Sequence, residues 1–203
     1  PDPLVLIRDT RGGPTDGYSQ IIIYMKDRVA LFAATTAVLE QLNLNIVDAR
    51  ISSSEGPHSI SSYVVLDEQG QPLGIDPARK ERTRERLIEE LDDPDDYPDI
   101  IHRRTPRQLK HFAFPTEVTF SNDTVNQRTV IEVVTPDRPG LLARVGQVLL
   151  EHRVRLTNAK IATLGERVED VFFVTDEHGE QIRDPAICQT LQHDLCQMLD
   201  DTQ

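Results

Sequence analysis

The chain contains no tryptophan and only two methionines and two cysteines in 203 residues, and aromatic side chains make up 5% of it. Cys188 and Cys196 lie eight apart in one expected helix, more than two turns from each other. That spacing excludes a metal pair and a local disulfide, so the reading is two buried thiols in a reducing, cytoplasmic compartment. Basic residues are also scarce: 22 Lys and Arg stand against 34 Asp and Glu, giving a net charge of -12 and a pI near 4.9. Such a field repels nucleic-acid phosphate and anionic membrane alike. No apolar run approaches the roughly 20 residues of a membrane span. The chain opens Pro1-Asp2-Pro3 without Met and is expected to be a piece of a longer protein or a processed chain.

Catalytic and metal signals are missing too. His58, His102, His111, His152 and His178 are scattered among loops, a connecting segment and a helix end, at no spacing that implies a site. There is no Gly-Ser followed by an Asp-x-Asp pair, and His193-Asp194 reads as a surface pair on the last helix. No catalytic residue, metal ligand or cofactor is assigned to this chain.

What is present is a repeat. The apolar run Leu4 to Ile7 and the β-forming run Gln20 to Met25 flank a turn-rich segment from Asp9 to Gly17. A helical period follows from Val29, with Leu31, Phe32, Thr35, Val38, Leu39 and Leu42 on one face. Ile46 to Ser53 reads as a strand with Val47, Ala49 and Ile51 on one side and Ile46, Asp48 and Arg50 on the other. Ile60 to Leu66 returns, and Asp76-Pro77 caps a charged helix from Ala78 to Leu91.

The order then restarts. Ile21, Asp27, Arg28, Leu31, Ala33, Val38, Leu39, Ala49 and Ile51 recur 110 positions on as Ile131, Asp137, Arg138, Leu141, Ala143, Val148, Leu149, Ala159 and Ile161. Asp67-Glu68 and Gly70 recur 109 on, and Asp76-Pro77 recurs 108 on as Asp184-Pro185. Each loss of one residue falls in a turn, where deletions are tolerated. An ordered series that keeps turns, caps and charges is not a chance match of hydrophobics.

Each unit is therefore ββαββα. The expected fold class is α+β: two ferredoxin-like α/β sandwiches, each an antiparallel four-stranded sheet with two helices on one face. The strand before the first hairpin takes the fourth place, so neither unit needs a strand after its last helix. The expected domains are 3–92 and 113–202, with 93–112 as linker. Ile22, Tyr24, Tyr63 and Val65, and likewise Val130, Val134, Phe172 and Val174, are assigned to the helix-remote sheet faces. Those faces are expected to pack on each other or on a partner.

The richest stretch is Val133 to Leu142, a strand end, a turn and a helix start. The N–H groups at Gly140, Leu141 and Leu142 suit a carboxylate. Asp137 fits either an ammonium or a helix cap, capping being the commoner role of such a residue. Asn158 carries a side-chain amide that could read another amide or bond backbone. The candidate effector-binding set is Asp137, Arg138, Pro139, Gly140, Leu141, Leu142 and Asn158. The first unit has Asp27, Arg28, Val29, Ala30 and Asp48 at these places, without Pro and Gly and with an acid for the amide, so it reads as a degenerate site. Capping and fold explain the shared Asp-Arg; Pro139, Gly140 and Asn158 are the sharper candidates.

Asp137-Arg138-Pro139-Gly140-Leu141-Leu142, with Asn158 to Asp176, closely resembles an ACT domain. Leu31-Phe32, Asp48-Ala49-Arg50-Ile51 and the run Arg103 to Leu109 extend the resemblance over nearly the whole chain, to the C-terminal ACT pair of the bacterial bifunctional PII uridylyltransferase/uridylyl-removing family. That resemblance implies a regulatory module sensing an amino acid, expected to be glutamine. Uridylyl transfer to PII and its removal would be carried by upstream nucleotidyltransferase and HD-type domains, which need Mg2+ and are absent from this sequence. The alternatives are an ACT-type dimerisation module without ligand, with a homodimer as its form, and an ACT regulator of another metabolic enzyme. An RNA-binding module needs exposed strand aromatics and a basic face, whereas the arginines here interleave with Glu along one helix.

Overall fold

The computed structural model describes residues 3–12, 16–28, 30–53, 57–102 and 114–201. The chain divides into two compact units, residues 1–105 and 106–203. The expected turn residues Gly13 and Pro14, the loop residue Val29, and the segment from Arg103 to Ala113 lie outside the described residues.

In unit 1, strands β1 (Leu4–Gly12), β2 (Asp16–Lys26), β3 (Asn45–Ser53) and β4 (His58–Leu66) run in the order β1-β2-β4-β3, all antiparallel. Helix α1 (Leu31–Gln41) follows β2, and α2 (Pro77–Asp92) follows β4. In unit 2, β5 (Glu117–Asp123), β6 (Arg128–Pro136), β7 (Arg155–Lys160) and β9 (Arg167–Thr175) run β7-β9-β6-β5, with the two-residue β8 (Thr163–Leu164) pairing β9. Helices α4 (Leu141–Glu151) and α5 (Pro185–Asp200) take the places of α1 and α2. The first strand of each unit does lie beside the second, filling the place a terminal strand would hold.

The repeat extends to single backbone groups. Asp76 and Asp184 cap their helices through Ala78 N and Ala186 N, with Pro at the first helical position of each. Asp67 accepts from Gln69 N and Gln71 N, and Asp176 from His178 N and Glu180 N. Ser19 Oγ accepts from Leu73 N, and Thr129 Oγ1 from Ile182 N.

Three sequence expectations are corrected by packing. The linker does not begin at residue 93. Pro94–Asp96 form a 3-10 turn and α3 (Tyr97–His102) packs into unit 1, with Tyr97 and Ile100 buried, the Tyr97 hydroxyl donating to Leu91 O, and Gln41 Nε2 donating to Ile100 O. Next, Tyr63, Val65, Phe172 and Val174 are fully buried, paired with Ile21, Ser19, Ile131 and Thr129 on the helix-covered faces rather than the remote ones. Finally, a register shift between Ile46 and Asp48 resets the strand phase, so Ile46 and Ala49 are both buried. The same shift recurs between Leu156 and Asn158. The cysteines sit on α5 as expected, but half-buried.

The remote faces differ between units. In unit 1 the paired positions Leu4, Leu6, Ile22, Tyr24 and Ile60 are apolar, with Leu4, Leu6, Tyr24 and Ile60 exposed. By register the same places in unit 2 hold Glu117, Thr119, Glu132, Val134 and Glu169. Phe173, on this face, is covered by the Arg128 guanidinium, 4.0 Å from its ring centroid.

Candidate effector site

Between β6 and α4 the chain turns through Asp137 to Gly140. Asp137 N donates to Glu166 O at 2.9 Å, tying the turn to the bend before β9; in unit 1 Asp27 N donates to Pro57 O at 2.8 Å. Gly140 is the N-cap of α4 and is left-handed, with φ 75°. A side chain at Gly140 would meet no atom within 4 Å, so the approach to the helix start is open there. Ala30 takes the same place before α1 with φ 63°, a conformation that costs a residue with a Cβ about 1–2 kcal/mol.

At both helix starts the N-cap residue is the left-handed one, Ala30 before α1 and Gly140 before α4, and neither makes a side-chain cap bond. Arg138 has a different task. Its Nη1 donates to Leu199 O at 2.7 Å and Asp200 O at 3.1 Å, at the C-terminal end of α5. Arg28 Nη1 likewise donates to Asp92 O at 2.6 Å and Leu91 O at 3.3 Å at the end of α2. A guanidinium there satisfies carbonyls that lack helical partners and meets the negative end of the helix dipole. The Asp-Arg pair is shared by both units because its Arg locks the last helix.

The first turn of α4 begins with Leu141 and Leu142, Leu141 being buried. Asn158 is not brought onto the same side. It pairs with Phe173 on β9, so it belongs to the face opposite the one α4 covers, and its Oδ1 is buried without a hydrogen-bond partner. Asp48 pairs with Val64 at the equivalent place and meets Arg50 at 3.7 Å.

One residue that the sequence reading passed over belongs with the loop. Asp170, on the helix-covered face of β9, is 1% exposed. Burial pushes its carboxyl up to about 7, against the N–H that Ala162 donates to Oδ1 at 3.2 Å, and the charge of Asp137 adds to the rise. Oδ2 has no partner. The signal was an acid on the inward phase of Val168, Asp170, Phe172 and Val174. Among the described residues, no cluster of three or more His, Cys, Asp or Glu is placed to hold a metal.

Residues 129–189, from the start of β6 into α5, match the family model described as the ACT domain. Unit 2 carries an ACT domain. Unit 1 repeats its strand order, bulge and helix caps. Along 201 residues, 99% of the chain, it is 52% identical to the bifunctional uridylyltransferase/uridylyl-removing enzyme of Pseudomonas fluorescens, and it resembles the C-terminal region of that enzyme. It is 53% identical to the protein of the same name from Ectopseudomonas mendocina over 197 residues, and 50% identical to that of Azotobacter vinelandii over 199. The chain spans 22% of the length of these relatives. A crystal structure of an unknown protein from Galdieria sulphuraria aligns over 88% of this chain and 89% of that one at 14% identity, with a TM-score of 0.28, too loose to bear on function. No helix among the described residues is long and apolar enough to cross a membrane.

Proposed function

We propose that the chain is the amino-acid-sensing regulatory module of a bifunctional uridylyltransferase/uridylyl-removing enzyme acting on PII, with glutamine as effector. The ACT domain and the 52% identity support the regulatory reading. Catalysis, with its expected Mg2+, would belong to parts of the enzyme outside this chain. The observation that carries the site is the Pro139-Gly140 turn, left-handed and open above Gly140, at the start of an 11-residue helix whose N–H groups favour a carboxylate. Unit 1 keeps the turn's conformation with Ala30 and has neither Pro nor Gly, which supports one competent site and one degenerate one.

Titration calorimetry against the twenty amino acids tests the reading. Glutamine is expected to bind the 203-residue chain, and Gly140→Leu to abolish binding while the thermal melt stays cooperative. Ala30 shows that the fold accepts a side chain at this φ. A folded chain that binds no amino acid would sink the sensor. The second reading, association without ligand, is favoured by the exposed apolar face of Leu4, Leu6, Tyr24 and Ile60, and that same result would leave it standing.

A further inference from the structure

Asp170 is an acid in apolar company. Its neighbours along the helix-covered face of β9 are Val168 and Phe172, and its pair on β6 is Val133, all buried. A buried carboxyl needs partners for both oxygens. Oδ1 has the Ala162 N–H, whereas Oδ2 is buried with none. The charged group that bears on it is Asp137, of like sign, from the turn before α4. The segment that donates to it, Ala162 to Leu164, is exposed. Register supplies a comparison within the chain: Ile23 pairs with Ser61 in unit 1 where Val133 pairs with Asp170 in unit 2. Ser61 is equally buried, at 2%. The unit that lacks Pro139 and Gly140 lacks the acid as well.

We infer that Asp170 is the specificity-determining acid of the effector site, its Oδ2 receiving the α-ammonium of an amino acid whose carboxylate rests on the first turn of α4. This assignment rests on the effector-site reading above. An ammonium brings N–H donors to an oxygen that has none, and a positive charge to an acid on which Asp137 bears with like sign. The helix start favours the opposite charge. The two ends of a zwitterion are thereby read by groups of opposite polarity, and a ligand without the ammonium leaves Oδ2 unpartnered. In the empty site burial keeps the carboxyl largely protonated below pH 7. On binding, one proton passes from the carboxyl to the buffer and the carboxylate faces the ammonium.

The test is calorimetry on the 203-residue chain with L-glutamine and with glutaramate, which has the carboxylate and amide but no ammonium. It compares wild type, Asp170→Asn and Asp170→Ser, in phosphate and in imidazole at pH 6.5. Ser is the residue the repeat itself places at this position, so that variant suits the fold. Wild type is expected to prefer glutamine by about 30-fold or more, the scale of a lost buried charge contact. Its apparent binding enthalpy should differ between the buffers through proton release. Both variants should lose the preference and the buffer dependence together. If wild type binds glutamine and the variants keep its affinity within about 3-fold with the same buffer dependence, Asp170 is not the ammonium's partner, while the site stands. If wild type binds no amino acid, the effector reading and this assignment both fall.

Discussion

Replacing Asp170 by Asn should stabilise the protein relative to wild type, and increasingly so as pH rises. Folded, the carboxyl titrates near 7; unfolded, it returns to its ordinary 3.8. Below 3.8 both states hold the proton and the acid has no effect. Between 3.8 and 7 the unfolded chain ionises while the folded one does not, so stability falls, and above 7 the loss is complete. At 1.36 kcal/mol per pH unit the fall between pH 5 and pH 8 is about 3 kcal/mol, an upper figure because the buried site relaxes and admits water. Asn keeps the shape and an oxygen for Ala162 N–H but carries no charge. The gap in stability between Asp170→Asn and wild type should therefore widen in favour of the variant by up to about 3 kcal/mol from pH 5 to pH 8. In melting temperature this is roughly 6–12 °C for a chain of this size. Calorimetric melts of both proteins at half-unit pH steps measure it. Parallel curves, with a gap that does not change with pH, would refute the burial argument.

Removing Arg138 as Arg138→Met should cost about 1.5–3 kcal/mol, the worth of charged hydrogen bonds to Leu199 O and Asp200 O, in urea titration at constant m. The matching Arg28→Met should act in unit 1 through Leu91 O and Asp92 O. Ala30→Gly should stabilise by about 1 kcal/mol by relieving the left-handed alanine, and Gly140→Ala should destabilise by about as much, both read from thermal melts. Gly74→Ala should displace the Asp9 carboxylate, since a Cβ at Gly74 would lie 2.1 Å from Asp9 Oδ2. The Lys80–Asp9 pair at 2.9 Å and the Gly74 N–H donation to Asp9 would then be lost. A melt unchanged within error would show that Asp9 moves at no cost.

The repeat, the element order and the helix caps were legible because they rest on residues with strong local meaning. Asp76-Pro77 and Asp184-Pro185 are helix starts in any context. The sheet faces were not legible where three apolar residues run together, as in Tyr63-Val64-Val65 and Phe172-Phe173-Val174. Either phase then satisfies the pattern, and only pairing with Ile21 and Ile131 decides it. The bulges before Asp48 and Asn158 insert one residue without a turn signal, which moves Asn158 to the face away from α4. The run Asp92 to Pro98 reads as a connector because it is acidic and holds two prolines, yet Tyr97 and Ile100 complete the cover of unit 1. The candidate loop was found from Pro139 and Gly140. Asp170 was not, since a lone acid in a strand looks solvent-facing until the register turns it inward.

The Arg138 guanidinium gives this loop a mechanical consequence. Arg138 belongs to the turn before α4, yet it holds the last carbonyls of α5, 61 and 62 residues further on. Helix ends ordinarily fray independently and exchange their amides first. Here fraying of α5 and motion of the turn share one bond pair, so neither can open alone without leaving half-buried carbonyls or a guanidinium unmatched. Amide exchange in the final turn of α5 and around Gly140 should thus rise and fall as a single kinetic unit, which makes the far end of the domain a gauge of whether the turn is held.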